Sequence, residues 1–488
     1  MYNDLILVLN QSYRKFKEKE KDTTLFFHFL AVLALKYIYD SKDKLYPFKP
    51  EASQTENLKA VFSQMPVPSK APLLDKTIQQ LSKKYAATMA VLFDNISFRE
   101  LVGTRKKETD TRLTALIEEI GDLSLGASAE ETGAAVEYLI EKFAEEHFHK
   151  SGFLYTPRSI SRLMAELAEV NENIRVYDPA AGLGTLLIQA AKAGNIPDYK
   201  LYGQEVNPQY AQLCKYNMLF NGLLKAEIET GNSLQDSKFM SGKKPILFDR
   251  VITHPPFDIE ALLPADPEQL FESTGHTKSP FMVLEEPAVA YRKSKEIHLS
   301  EDTTEETSFL SHILDSLQDD GKAAIIVPHG VLFKLGNAYA LRKQLISRNM
   351  IEAVIDLPPN IFYSSKVNVS VLILNKKKKH SDILFIDASQ NYEPDRRRNK
   401  LRTEHSKQVI QAYHAFKSSR NYAHRASIQE VTDKANDYNL TAKRYVKQTT
   451  KSSATDLEPL KKNIDQLTSQ LENIRKELDK EINSFTVK

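Results

Sequence analysis

The sequence contains a single cysteine, Cys214, so no internal disulfide can form and a cysteine-based zinc site is excluded. It also lacks an apolar run long enough to span a bilayer. The nearest candidate, Leu25 to Ile38, is about 14 residues long where a spanning helix needs ~20, and it contains His28 and Lys36, so it reads as a buried helix. The N-terminus, Met1-Tyr2-Asn3-Asp4, has no basic start followed by an apolar stretch and a small-residue cleavage site. The expectation is therefore a cytoplasmic protein with no membrane partner. No Gly-x-x-x-x-Gly-Lys-Ser/Thr loop is present, which excludes an ATP-driven motor in this chain. Net charge is small: 66 Lys and Arg against 64 Asp and Glu leave +2, which argues neither for nor against a nucleic-acid partner.

What is present is enough for a large, well-buried protein. The 488 residues, 41% of them hydrophobic, suit two or three domains. The first 150 residues read mostly as helix, because apolar residues recur at spacings of three and four through Leu25 to Tyr39, Leu113 to Ile120 and Val136 to Phe143. From Ile174 short β-branched runs alternate with helical segments: Ile174 to Tyr177, Leu201 to Gln204, Arg250 to Thr253, Ala323 to Val327, Ile351 to Ile355 and Val369 to Leu374. That alternation predicts an α/β fold with a mainly parallel sheet covered by helices on both faces. The last of these runs leads through Lys376-Lys377-Lys378-Lys379 to Ile383–Ile386, read as a late hairpin with a charged turn, the alternative for the lysines being DNA contact.

Charge is unevenly distributed. Between Lys376 and Lys447 there are 17 basic and 8 acidic residues, +9 net, so the rest of the chain carries −7. A basic C-terminal third suits a phosphate backbone, although a solvated surface with no partner has the same composition. Beyond it Leu457, Leu460, Ile464, Leu467, Leu471, Ile474 and Leu478 alternate spacings of three and four, a heptad seam that Ile482 and Phe485 continue. A single helix cannot bury its own stripe, so a partner helix is expected there.

Two loops carry the chemistry. The first, Asp178-Pro179-Ala180-Ala181-Gly182-Leu183-Gly184, follows a strand and opens a helix, as in a nucleotide-type crevice at the carboxyl end of a strand. A dinucleotide fingerprint would want a third glycine near position 187, which is Leu, so NAD is disfavoured. Glu205, 27 residues after Asp178 and about one strand-helix-strand unit on, offers two acceptor oxygens to a pair of ribose hydroxyls. Upstream, Thr156 and Pro157 read as an N-cap and the first turn of a helix whose N–H groups suit a carboxylate. In the second loop, His254-Pro255-Pro256-Phe257, the prolines stiffen the exit from a strand. Amino-methylating enzymes carry an Asn-Pro-Pro-aromatic version of this loop, in which Asn and the first proline's carbonyl accept from the substrate amine and the aromatic ring stacks on a flipped base.

Taken with these loops, several further segments stand in one order: Ser151 to Arg158, Gly203 to Pro208, Gly321 to Phe333, Leu357 to Phe362, Asn436 to Leu440, Arg444 to Val446 and the heptad tail. In that order they resemble the modification (methyltransferase) subunit of type I restriction-modification systems over nearly the whole length. The resemblance implies an S-adenosylmethionine-dependent methyltransferase domain of Rossmann-like form at 151–395, with an N-terminal helical domain at 1–150. A basic connecting region at 396–452 and a C-terminal coiled-coil helix at 453–488 would follow. It implies that Thr156, Asp178, Gly182, Gly184, Glu205 and Asn232 bind S-adenosylmethionine and that His254, Pro255, Pro256 and Phe257 hold a flipped adenine for N6 methylation. No metal is implied. Double-stranded DNA, a specificity subunit held by the C-terminal helix, a motor-nuclease subunit and a second copy of the chain are the implied partners.

Two residues depart from the family pattern. Asn232 stands where the family often has Asp, and His254 stands where it has Asn, Asp or Ser. A neutral imidazole offers one acceptor nitrogen and a protonated one offers none. If His254 takes the role of Asn, activity is expected to fall as pH drops through about 6.5. The alternative is a catalytically silent methyltransferase-fold subunit serving assembly, DNA binding or regulation. A methyltransferase acting on RNA or on a protein amide is a third reading, against which the helical N-terminal part and the coiled tail argue. His329 reads as a turn residue and not as a base.

Overall fold

Helix α2 (Thr24–Asp40) is the apolar stretch of the sequence, and every residue from Leu25 to Ile38 is buried. Its one buried lysine is tolerated because Lys36 Nζ reaches Asp40 one turn on, at 2.6 Å, and Asp40 in turn accepts from the Leu125 backbone N–H. The computed structural model describes residues 2–18, 23–41, 50–63, 69–85, 91–104, 107–148, 155–242, 244–256, 305–362, 367–396 and 398–446, with Gln466 and Gln470. Among these, no helix is long and apolar enough to cross a membrane.

Around α2 pack α1 (Tyr2–Lys17), α3 (Ala52–Phe62), α4 (Ala71–Lys84), α5 (Phe98–Thr104), α6 (Lys107–Gly121) and α7 (Ala129–Phe148). Phe26 of α2 stacks on Phe143 of α7 with centroids 3.9 Å apart. The same apolar cluster takes in Leu213, Tyr216, Leu219 and Phe220, so the helices before residue 150 are continuous with those that follow. Residues 1–446 form one compact unit. Residues 447–488 form another, in which Gln466 and Gln470 are helical and exposed. The apolar positions of the heptad seam lie outside the described residues.

The sheet has nine strands: β1 (Val176–Asp178), β2 (Leu201–Glu205), β3 (Glu227–Thr230), β4 (Phe248–Thr253), β5 (Leu317–Pro328), β6 (Ile351–Asp356), β7 (Val369–Asn375), β8 (Ile383–Asp387) and β9 (Ala423–Ala426). Their spatial order is β9-β8-β6-β7-β5-β4-β1-β2-β3. All neighbours are parallel except at β7, which runs antiparallel between β5 and β6, and at the edge strand β9. Both faces are apolar with period two. In β5, Ala324 and Ile326 join the cluster that includes Ile160, Leu163 and Val409, while Ala323, Ile325 and Val327 join that of Leu310, Leu341 and Leu345. All seven predicted strand runs form strands.

The predicted late hairpin does not form. β8 pairs with β6 and β9, not with β7. The reason is that both edges of β7 are already hydrogen-bonded, by β5 and β6, so the next strand can join only beyond β6. The lysine turn consequently lies at the amino-terminal edge of the parallel strands, away from the loops at their carboxyl ends. Lys376 Nζ donates to the Leu317 carbonyl at 3.0 Å and Lys378 Nζ to the Ile351 carbonyl at 2.6 Å. Burial pushes Lys378 down to about 8. These lysines cap strand ends, in keeping with the charged-turn reading.

Candidate functional site

Asp178 ends β1 and is fully buried. Its Oδ1 accepts from Thr253 Oγ1 at 2.7 Å and from the Ala180 N–H at 3.0 Å, so the carboxylate ties the start of the glycine loop to the end of the neighbouring strand β4. Burial raises its pKa to about 7, partly offset by those two hydrogen bonds, with the Glu205 charge adding to the rise. The chain then turns through Gly182 and Gly184, at φ +52° and +77°, into α9 (Thr185–Gly194). At Gly184 the absence of a side chain also lets α10 (Pro208–Phe220) approach: a Cβ there would lie 2.6 Å from Cys214 Sγ and 2.7 Å from Met218 Cε.

Glu205 ends β2 and turns back onto this loop. Its Oε2 accepts from the Gly182 N–H at 2.8 Å and its Oε1 from the Asn207 N–H at 2.9 Å. Burial raises its pKa and the backbone donors oppose the rise. A carboxylate offers about four acceptor sites, so the backbone donors of Gly182, Asn207 and Val206 leave room for a ribose hydroxyl. Asn232, just after β3, accepts the Leu234 N–H through its amide oxygen at 3.0 Å, an Asx turn that commits one of that oxygen's two lone pairs. The crevice thus has a glycine turn, a carboxylate across it and a polar amide beyond, which fits a nucleoside-bearing cofactor.

The segment before α8 (Arg158–Leu167) differs from expectation. Pro157, not Thr156, is the N-cap: its carbonyl accepts the N–H groups of Ile160 and Ser161, at 2.9 and 3.0 Å. Thr156 is left outside the helix and its hydroxyl lies 2.8 Å from His254 Nδ1. Arg158 pairs with buried Glu137 of α7 at 3.2 Å, anchoring the start of α8 to the preceding helices.

His254 leaves β4 and is 5% exposed. Its ring lies 4.7 Å from that of Phe362, the last residue of the Leu357 to Phe362 segment. Burial lowers its pKa to about 3. This corrects the expected loss of activity near pH 6.5: desolvation disfavours the imidazolium, so the ring stays neutral through the physiological range and any inflection it causes lies far below. Pro255 is buried and Pro256 half-buried. Phe257 lies outside the described residues. Thr156, His254, Tyr155, Ala180 to Leu183, Thr185 and Leu186 line one small cleft that opens to solvent. The structure therefore brings Thr156, Gly182 and His254 to one cleft, with Asp178 and Glu205 hydrogen-bonded to its walls, and leaves Asn232 further along the crevice.

Thr253, Tyr155 and Phe362 carry no functional signal in the sequence pattern. Thr253 directly precedes His254, and the other two stand within segments already singled out, but their partners are far away in the chain. His329, 3.6 Å from buried Asp356 through Nε2, opens a short helix (His329–Phe333), and its backbone N–H donates to the Asn368 carbonyl.

Two loops from neighbouring parallel strands that face one cleft define a Rossmann-like ligand-binding crevice. A family model described as N-6 DNA methylase matches residues 127–454, and the chain belongs to that family. The type I restriction enzyme MpnII methylase subunit of Mycoplasma pneumoniae is 26% identical over 397 residues, 78% of this chain and 69% of its own length. The type I restriction enzyme MjaVIII methylase subunit of Methanocaldococcus jannaschii is 31% identical over 349 residues. That alignment takes in 68% of this chain and 56% of the relative's length, so the curated relatives extend beyond what this chain spans. Among solved structures, the type I restriction-modification system methyltransferase subunit from Streptococcus thermophilus gives a TM-score of 0.72 at 24% identity, covering 92% of this chain and 100% of that one, a likeness of fold.

Proposed function

We propose that this chain is the methylating subunit of a type I restriction-modification-like complex, placing a methyl group on N6 of a flipped adenine in double-stranded DNA. The observation that carries the reading is the meeting at one cleft of the glycine loop, the Thr156 segment and the His254 loop, with Asp178 bonded to Thr253 and Thr156 to His254. S-adenosylmethionine, when bound, supplies an electrophilic methyl group. Glu205 would hold the ribose, Gly182 and Gly184 would allow close approach, Asn232 would bind toward the cofactor's adenine, and Thr156 with the start of α8 would hold the methionine end. Asp178 keeps the glycine loop on β4 and contributes negative charge. On the target side His254 and the Pro255 carbonyl would accept from the amino group, while Pro256 and Phe257 pack on the base. The chain needs no nucleophile of its own, since alignment and dispersal of charge on the attacking nitrogen suffice.

In the same reading residues 1–150 serve as a helical domain, 151–395 as the methyltransferase domain and 396–452 as a basic connection. The helix at 453–488 would meet a specificity subunit that reads the DNA. A motor-nuclease subunit and a second copy complete the complex. The relatives are methylase subunits, which supports catalysis over a silent assembly role. The test is the chain co-expressed with its specificity partner, given radiolabelled S-adenosylmethionine and mixed-sequence DNA, beside His254→Asn. Label on adenine N6 with the native chain is the expected outcome. Absence of label from both proteins, with cofactor binding intact, would sink the proposal.

Cofactor binding should depend on pH through Asp178. A carboxyl whose folded pKa is raised from 3.8 to about 7 binds more protons folded than unfolded across that window, so the ligand-free protein loses stability as pH rises through it. A cationic ligand favours the carboxylate and must displace that proton below pH 7. The dissociation constant of S-adenosylmethionine is therefore expected to rise by up to about tenfold per pH unit below 7, and Asp178→Asn to flatten the dependence. Calorimetric titration between pH 5.5 and 8 checks it, and a flat native profile would contradict it.

A further inference from the structure

The 2.8 Å contact between Thr156 Oγ1 and His254 Nδ1 admits two directions with opposite consequences. A neutral imidazole carries one N–H and one bare nitrogen, and whichever role Nδ1 takes, Nε2 takes the other. If the Thr156 hydroxyl donates to Nδ1, the ring proton sits on Nε2 and the ring has no acceptor for an amino group. If Thr156 accepts from Nδ1–H, Nε2 is the acceptor that the methylation target requires. Asparagine at this position would carry its acceptor oxygen whatever Thr156 did, so the question arises from the histidine.

Thr156 has one hydroxyl proton, and an anion beside it decides where that proton goes. We infer that Thr156 is a positioning residue that sets the tautomer of His254: by giving its proton to the carboxylate of a bound cofactor, it presents a lone pair to Nδ1–H and makes Nε2 the acceptor for the amino group. Cofactor binding thereby prepares the target loop, coupling two sites whose residues stand 98 positions apart. The inference rests on the functional reading above, in that an amino group is the substrate and the methionine end of the cofactor faces Thr156. Loss of the hydroxyl would thus damage turnover through His254, beyond any effect on cofactor affinity.

Two measurements test this, one of them independent of methylation. In the full chain labelled with 15N-histidine, with the His254 signals identified by difference from His254→Asn, S-adenosylhomocysteine should give a protonated Nδ1 and a bare Nε2. 5′-Methylthioadenosine, which lacks the carboxylate, should not drive that change. A proton on Nε2 with S-adenosylhomocysteine bound overturns the inference whether or not DNA is methylated. In the second, at saturating cofactor, Thr156→Val should lower turnover at least about tenfold and Thr156→Ser should restore it to within about threefold, as loss and retention of one hydrogen bond require. In the His254→Asn background, Thr156→Val should cost less than about threefold in turnover. An equal loss in both backgrounds would make Thr156 a cofactor ligand alone and overturn the inference. Absence of methylation by the native chain would instead count against the functional reading, and the histidine spectrum would still decide the tautomer.

Discussion

Glu205→Ala is expected to weaken S-adenosylmethionine binding by at least about 100-fold. The carboxylate braces the crevice, accepting from Gly182 N–H at 2.8 Å and from Asn207 N–H at 2.9 Å. Hydrogen bonds to a charged acceptor contribute roughly 1.5–3 kcal/mol each, and the proposed ribose contacts are of the same kind. Alanine removes them and leaves two backbone donors at the cofactor wall without their acceptor. Glu205→Gln retains one acceptor oxygen and should lose roughly tenfold, because its amide nitrogen cannot accept. Calorimetric titration of the three proteins gives the ranking directly. Equal affinity of native and Glu205→Ala proteins would show that the ribose is held elsewhere.

Gly184→Ala is expected to destabilise the fold by about 2–4 kcal/mol and to abolish cofactor binding with it, since αL backbone and overpacking each cost of order 1–3 kcal/mol. The residue sits at φ +77°, and its missing Cβ position lies 2.6 Å from Cys214 Sγ on α10, a buried atom with little room to move. Met218 Cε, at 2.7 Å, is the end of a flexible side chain and can swing aside. Denaturant midpoints measure the loss. Cys214→Ala in the same chain removes the blocking sulfur and should recover part of it, leaving the backbone term. If the double variant is no more stable than Gly184→Ala, helix contact is not the cause and strain in the turn accounts for the whole effect.

Local chemistry made much of this protein readable. Apolar runs that suit a sheet buried on both faces became β1, β2 and β4 to β8, and the apolar stretch from Leu25 became a buried helix. Glycines where φ is positive, prolines that stiffen a strand exit and an acidic residue after the next strand identified both loops of the cleft. Those features depend on residues within a few positions of one another, or on one strand-helix-strand unit, so the sequence by itself determined them.

Tertiary structure decided what depends on distant neighbours. β3 and β9 are not legible in the sequence because Glu-Ile-Glu-Thr and Ala-His-Arg-Ala, at the sheet's two edges, have no apolar run. β8 could not hairpin with β7 once β7 had partners on both edges, and that same placement set the lysine turn away from the cleft. Thr156 reads as a cap, yet its hydroxyl is 2.8 Å from His254, a contact between segments 98 residues apart. His254 has an ordinary pKa of 6.5 as a free side chain and about 3 here, because burial penalises only its charged form. Burial is a property of the folded surroundings, and so the protonation state of His254 belongs to the structure and not to the sequence pattern.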